Sequence, residues 1–304
     1  MIGREEPLEA VDFRTSFNSR GEEYQSLVGS SNGSAACVAG YDWIDCAIGT
    51  DTSSSGRRPA MRYHSDLRSL RDTRRICQEF RHTQGCCSDL DPKHIDPIRE
   101  AWKQPHPLGT PENLDDYLID TVLRAYYNAF YHSFVAFREK YAEKHSGKPP
   151  YALPSLQYRW ETGAAVSEEQ HKDAVQRMGI YRDWLLTRML AGSTSEAEPL
   201  VVLPIGNLAP NYREESSPSP LGQSALDQLF LPPILVAPDI AIPIGEVPYE
   251  SKITKGTEYL PVVIDITGAP TKDQELLQAI EKIMDVSGRP TTVTTGLRVF
   301  QCQV

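Results

Sequence analysis

Apolar side chains recur at three- and four-residue spacing across residues 112–145. Leu118, Val122, Tyr126, Phe130, Phe134 and Phe137 form one stripe, and the spacing predicts a helix ended by Pro149, Pro150 and Pro154. A second helical block is predicted over 166–191, with Val175, Met178, Trp184, Leu185 and Met189 on its apolar side. LVVLPI (200–205) reads as a buried strand. Residues 206–223, rich in Pro, Ser, Asn and Gly, read as a long loop. PDIAIPIG (238–245) and LPVVIDITG (260–268) are short, β-branched and apolar, hence strands, and DQELLQAIEKIMDV (273–286) is an amphipathic helix. Near the N-terminus, residues 34–48 predict a helix of small residues followed by a short buried strand. Residues 61–100 are arginine-rich, without a periodic apolar pattern, and predict no core element. Helices alternating with buried strands indicate an α/β layer protein.

Composition narrows the function classes. The chain has 304 residues, 40% hydrophobic and 24% charged, which is enough to bury a real core. A net charge of −10 repels nucleic acid and anionic membrane surfaces, so neither is expected as a partner. Six cysteines form no framework and no CxxC pair, which fits reduced thiols in a cytoplasmic protein. The N-terminus MIGREEPLEA has no apolar core of a signal peptide, and no run of 18 apolar residues exists to span a bilayer. His64, His82, His94, His106, His132, His145 and His171 show no metal-ligand spacing, so no metal is expected.

The candidate chemistry lies in residues 29–60, GSSNGSAACVAGYDWIDCAIGTDTSSSGRRPA. A serine hydroxyl is a weak nucleophile until a base takes its proton, and the oxyanion then needs preorganised N–H donors. TDTSSSG offers a tight turn of small residues that can bring backbone donors close to a carbonyl. Asp51 and Arg57 flank that turn and can pair across it, as a structural support.

This stretch resembles the amidase signature family, whose typical run is a GGSSGGSA-like segment, a small-residue helix and GTDTGGSIR.PA. GSSNGSA (29–35) and GTDTSSSGRRPA (49–60) stand in those places. Residues 12–25, Tyr41-Asp42-Trp43, LPIGNLAPNYR (203–213) and the run 237–266 resemble a fungal branch. The resemblance implies a central mixed β-sheet flanked by α-helices in a single domain over 1–304. Its parts are a serine-motif region (10–60), an anomalous segment (61–90) and a C-terminal part (112–304). It implies hydrolysis of a carboxamide C–N bond in a small-molecule substrate, without cofactor. Ser55 would be the nucleophile. Ser31, 24 residues earlier and following a cis peptide, would relay the proton to a neutral lysine. The backbone N–H groups of Thr52, Ser53, Ser54 and Ser55 would form the oxyanion hole. Glu246 and Tyr249 would lie near the pocket, or in a turn between two strands.

Three departures qualify the resemblance. The family's base lies upstream of both serines, yet no lysine precedes Ser31 and the first is Lys93. The expectation is a chain truncated at its N-terminal side, with an incomplete sheet and impaired activity. Ser53 and Ser54 replace glycines, so either is strained if its position needs positive φ. Residues 61–90 lack a segment like FDTPGVVARD and read EFRHTQGCCSD instead, as an out-of-frame stretch would. Two other readings stay open: a non-catalytic relative, or an α/β-hydrolase esterase using Ser31 in GxSxG (Gly29 to Gly33).

Overall fold

The computed structural model describes residues 23–26, 29–41, 43–44, 47–52, 54–63, 96–103, 106–152, 154–190, 199–205, 209–213, 215, 224–288 and 298. The anomalous segment falls outside these residues from residue 64 to 90, as do Ser53 and most of the 206–223 loop. The elements, in chain order, are α1 (Asn32–Gly40), α2 (Arg57–Tyr63), α3 (Asp96–Lys103), α4 (Leu114–Leu118), a π-helical turn (Leu123–Tyr127), α5 (Asn128–Ser133), α6 (Val135–Lys144), α7 (Pro154–Ala164), α8 (Glu168–Leu185) and a second π turn (Leu186–Leu190). After these come β1 (Val201–Pro204), a short 3-10 turn, α9 (Leu231–Leu235), β2 (Asp239–Glu250), β3 (Thr257–Thr267) and α10 (Asp273–Val286). They gather into two compact units: Met1–His94, Met189–Ser216 and Gln228–Val304 in the first, Ile95–Arg188 and Ser217–Asp227 in the second.

In the first unit the sheet of the described residues has three strands in the order β1-β3-β2, all antiparallel, where a mixed sheet is expected from the resemblance. β3 is central, and a strand packed on both faces buries nearly every residue. Its even positions, Val262, Ile264 and Ile266, join Ile242 and Ile244 of β2 against Leu276, Ile280 and Met284 of α10. Those α10 residues recur every fourth position, one face of a helix. The odd face carries Val263, Asp265 and Thr267, and Val263 packs with Met61 of α2 and Ile205. β2 runs through Gly245 with a bulge between Pro243 and Gly245 and continues to Glu250. Glu246 and Tyr249 are therefore strand residues and not a turn; the turn lies at 251–256, held by Ser251 N–H donating to Gly256 O at 3.0 Å. β1, an edge strand, is half-buried and not a core strand.

The second unit is helical around Trp102, which is fully buried, donates Nε1–H to Pro111 O at 3.0 Å, and packs its ring on Tyr117, Tyr181 and Trp184. The arginine-rich composition before it hid this anchor. The single helix predicted over 112–145 is four helical pieces. The π turn inserts an extra residue into the helical register, which rotates the faces of the residues after it. Tyr127, and not Tyr126, is thereby buried, while Phe134 and Phe137 are exposed. In α8 the buried face is Ala174, Tyr181, Trp184 and Leu185, and Val175 is exposed. Its start is set by a capping box: Ser167 Oγ accepts from Gln170 N–H at 3.1 Å, and Gln170 Oε1 accepts from Ser167 N–H at 3.0 Å. Among the described residues no helix is long and apolar enough to cross a membrane.

Candidate functional site

The serine loop is built from the N-terminus of α1 outward. Small residues let α1 form from Asn32, and Ser31 occupies its N-cap position. The Ser31 hydroxyl does not cap the helix. Its Oγ accepts from Thr50 N–H at 3.0 Å and donates to Thr50 O at 3.1 Å. Ser34 Oγ donates to Ile48 O at 2.9 Å. These two serines thus take the backbone groups that a β-ladder would use. The strand expected before Gly49 lies partly outside the described residues; 43–44 and 47–48 are not strand, and Trp43 and Ile48 stand exposed. Gly49 is required by this contact: a Cβ there would lie 2.7 Å from Ser31 Oγ and 2.8 Å from Ser31 Cβ. Ser31 is buried, and its N–H donates to Ser55 O at 3.0 Å, so the two serines singled out in the sequence meet through their backbones. A non-proline cis peptide, expected at Ser31, joins Gly29 to Ser30, one bond earlier.

Asp51 organises the turn. Its Oδ1 accepts from Ser54 N–H at 2.7 Å, and its Oδ2 accepts from the N–H groups of Gly56 (3.1 Å) and Arg57 (2.9 Å). The Asp51–Arg57 pairing holds, with Arg57 Nε donating to Asp51 Oδ2 at 3.0 Å and Nη2 to Oδ1 at 3.2 Å. Such bidentate pairs fix geometry as well as adding energy. Arg57 reaches further, donating Nη1–H to Asp265 Oδ2 at 3.1 Å and Nη2–H to Leu229 O at 2.7 Å, with Asp239 Oδ2 at 3.3 Å. The turn is thereby tied to both β2 and β3. Composition and spacing did not reveal Asp239 and Asp265. The signal available was a charged residue inside each of two otherwise apolar strand runs.

The electrostatics arise from burial and from the count of charges. Burial works to raise the Asp51 carboxyl, but the Arg57 bonds and charge outweigh it, and the group sits below its ordinary value. Burial likewise opposes the Arg57 charge, and Asp51, Asp265 and Asp239 more than restore it. Asp239 is raised, first by burial, with Thr267 and Arg57 opposing. Asp265 is pushed up to about 8 by burial and by the neighbouring Asp239.

Of the expected oxyanion donors, Ser54 N–H is already engaged by Asp51 and is a turn donor. Thr52 lies on the exposed bend, and Ser53 is outside the described residues. Ser54 adopts φ +71°, with its side chain fully buried and its Oγ unbonded within the described structure. The glycine-to-serine departure therefore does fall on a left-handed position. Ser55 is half-buried. As a GxSxG nucleophile, Ser31 would need an accessible hydroxyl, whereas it is buried and doubly bonded to Thr50. Among the described residues no group of three or more His, Cys, Asp or Glu could hold a metal ion.

No protein-family model matches the chain. Two solved structures of 6-aminohexanoate cyclic dimer hydrolase are similar in architecture. The one complexed with substrate has 15% identity and the other 16%, each with a TM-score of 0.48, over 91% of this chain and 72% of theirs. At that distance the likeness assigns neither family, substrate nor catalytic residue to this chain.

Proposed function

We propose that this chain carries an amidase-type serine site, built for hydrolysis of a carboxamide C–N bond in a small molecule, with Ser55 as its nucleophile. The observation that carries the reading is the joining of the two sequence motifs: Ser31 N–H donates to Ser55 O at 3.0 Å inside a turn stapled by Asp51 and Arg57. In this reading Ser55 Oγ attacks the amide carbonyl, the C–N bond breaks, the amine leaves with the proton that Ser55 gives up, and water then hydrolyses the acyl-enzyme. The N–H groups of Thr52, Ser53 and Ser55 are the oxyanion donors of this reading, Ser53 lying outside the described residues, since Ser54 N–H serves Asp51. Ser31 relays the proton only after its hydroxyl leaves Thr50 O.

The test is labelling by a fluorophosphonate, with peptide mapping of the adduct, on wild type, Ser55→Ala and Ser31→Ala. Labelling at Ser55, abolished in Ser55→Ala, is expected. An adduct on Ser31, or equal labelling of wild type and Ser55→Ala, overturns the assignment.

A further inference from the structure

Three carboxylates meet one guanidinium where the serine loop rests on the odd face of the sheet. Arg57 bonds Asp51 in the loop and Asp265 in β3, and its Nε lies 3.3 Å from Asp239 Oδ2 in β2. Asp239 pairs with Thr267 and Ala241 with Asp265, so Asp239 and Asp265 are diagonal neighbours on one face of the ladder. Their side chains are 7% and 1% exposed. Thr267 Oγ1 donates to Asp239 Oδ1 at 2.5 Å. That leaves Asp239 Oδ2 and Asp265 Oδ1 buried without a hydrogen-bond donor among the described residues. The apolar side chains clustered on this face are Met61, Ile205, Val263, Leu229 and Ala241. Among the described residues Arg57 is a cation that reaches all three acids.

Fully ionised, this set would hold two adjacent carboxylates in a dry site with a single counter-charge already shared with Asp51. Like charges so placed do not both ionise at neutral pH. A proton on either carboxyl removes one charge and supplies the donor that the unbonded oxygens need.

We propose that Asp239 and Asp265 are positioning residues that hold the serine loop through Arg57, and that they share one proton whose release loosens the loop. The raised position of both acids accords with this. The folded pair keeps a proton that an unfolded aspartate releases near about 3.9, so the stabilisation is complete at low pH and is lost as pH rises through the folded value.

Two measurements on the full chain test this without any assay of hydrolysis, so their outcome is separate from that of the proposed chemistry. Isotope-edited infrared spectra of wild type at pH 6 should show the C=O stretch of a protonated aspartic acid, absent at pH 9 and absent in Asp265→Asn. Hydrogen exchange at the Ser54, Gly56 and Arg57 amides, corrected for intrinsic rate, should quicken up to about tenfold per pH unit between pH 6 and 8. In Asp265→Asn the amide replaces the shared proton with a fixed donor and still accepts from Arg57, so the pH dependence should vanish. A wild-type spectrum without that band at pH 6, or an unchanged pH slope in Asp265→Asn, overturns the proposal. Should Asp265→Asn fail to fold, the wild-type infrared spectrum decides alone.

Discussion

Replacing Ser54 with glycine should make this protein more stable. Ser54 sits at φ +71° with a fully buried side chain whose hydroxyl has no partner within the described structure. A side chain in the left-handed region costs roughly 1–2 kcal/mol. A buried hydroxyl left unbonded costs about 1–3 kcal/mol. Against these, glycine gives the unfolded chain extra freedom, about 0.5–1 kcal/mol. The sum favours Ser54→Gly by about 1–4.5 kcal/mol, and the Ser54 N–H bond to Asp51 survives because its donor is a backbone group. Each kcal/mol raises Tm by about 2–4 °C in a domain of 150–250 residues. The assay is calorimetric unfolding of wild type, Ser54→Gly and Ser54→Ala. Alanine removes the hydroxyl and keeps the Cβ, so its gain over wild type reads the polar cost, and glycine's further gain reads the backbone cost. A Ser54→Gly protein that melts at or below wild type refutes the reasoning.

Gly49→Ala drives a Cβ to 2.7 Å from Ser31 Oγ, an atom held on both sides by Thr50. Overpacking of that kind costs about 1–3 kcal/mol, seen as a lowered urea midpoint at constant m. Arg57→Met removes the counter-charge from three acids and should cost about 3–5 kcal/mol, measured by the same titration. Arg57→Lys should restore little of it, because one ammonium cannot serve Asp51, Asp265 and the Leu229 carbonyl in fork geometry. Unchanged stability in Arg57→Met would remove the reason for calling Arg57 the tie between loop and sheet.

The elements that were legible in the sequence are those whose pattern is local. Helix α10 matches its predicted span, 273–286, because an apolar residue every fourth position on a polar background admits one burial face. The strand runs at 238–245 and 260–268 were legible for the complementary reason: β3 is covered on both sides and needs apolar residues throughout. The stripe over 112–145 misled because its register is broken by a π turn. A π turn is favoured by close packing: a Cβ on Gly163 of α7 would lie 2.1 Å from Tyr127 O. A backbone approach that close leaves no mark in hydropathy. Tyr181 and Trp102 were missed for a related reason, since aromatic clustering depends on what surrounds each ring and not on sequence spacing.

At the serine site the division is similar. The chain's own order of residues determined that a turn of small side chains would form after Gly49 and that Asp51 and Arg57 would close it. Partners six residues apart find each other by local geometry, whatever surrounds them. The sequence likewise posed the question of a strained serine, since only a residue's type and not its φ is written there. Tertiary structure answered that question at Ser54. It also committed the Ser31 hydroxyl to Thr50, turned Ser54 N–H toward Asp51, and brought Asp239 and Asp265 to Arg57 from distant strands, Asp265 from 208 residues away. The last of these depends on strand register: a slip of one residue in either strand would turn its acid to the α10 face. Register is a property of the assembled sheet, and so the ionic tie between loop and sheet was decided only by the fold.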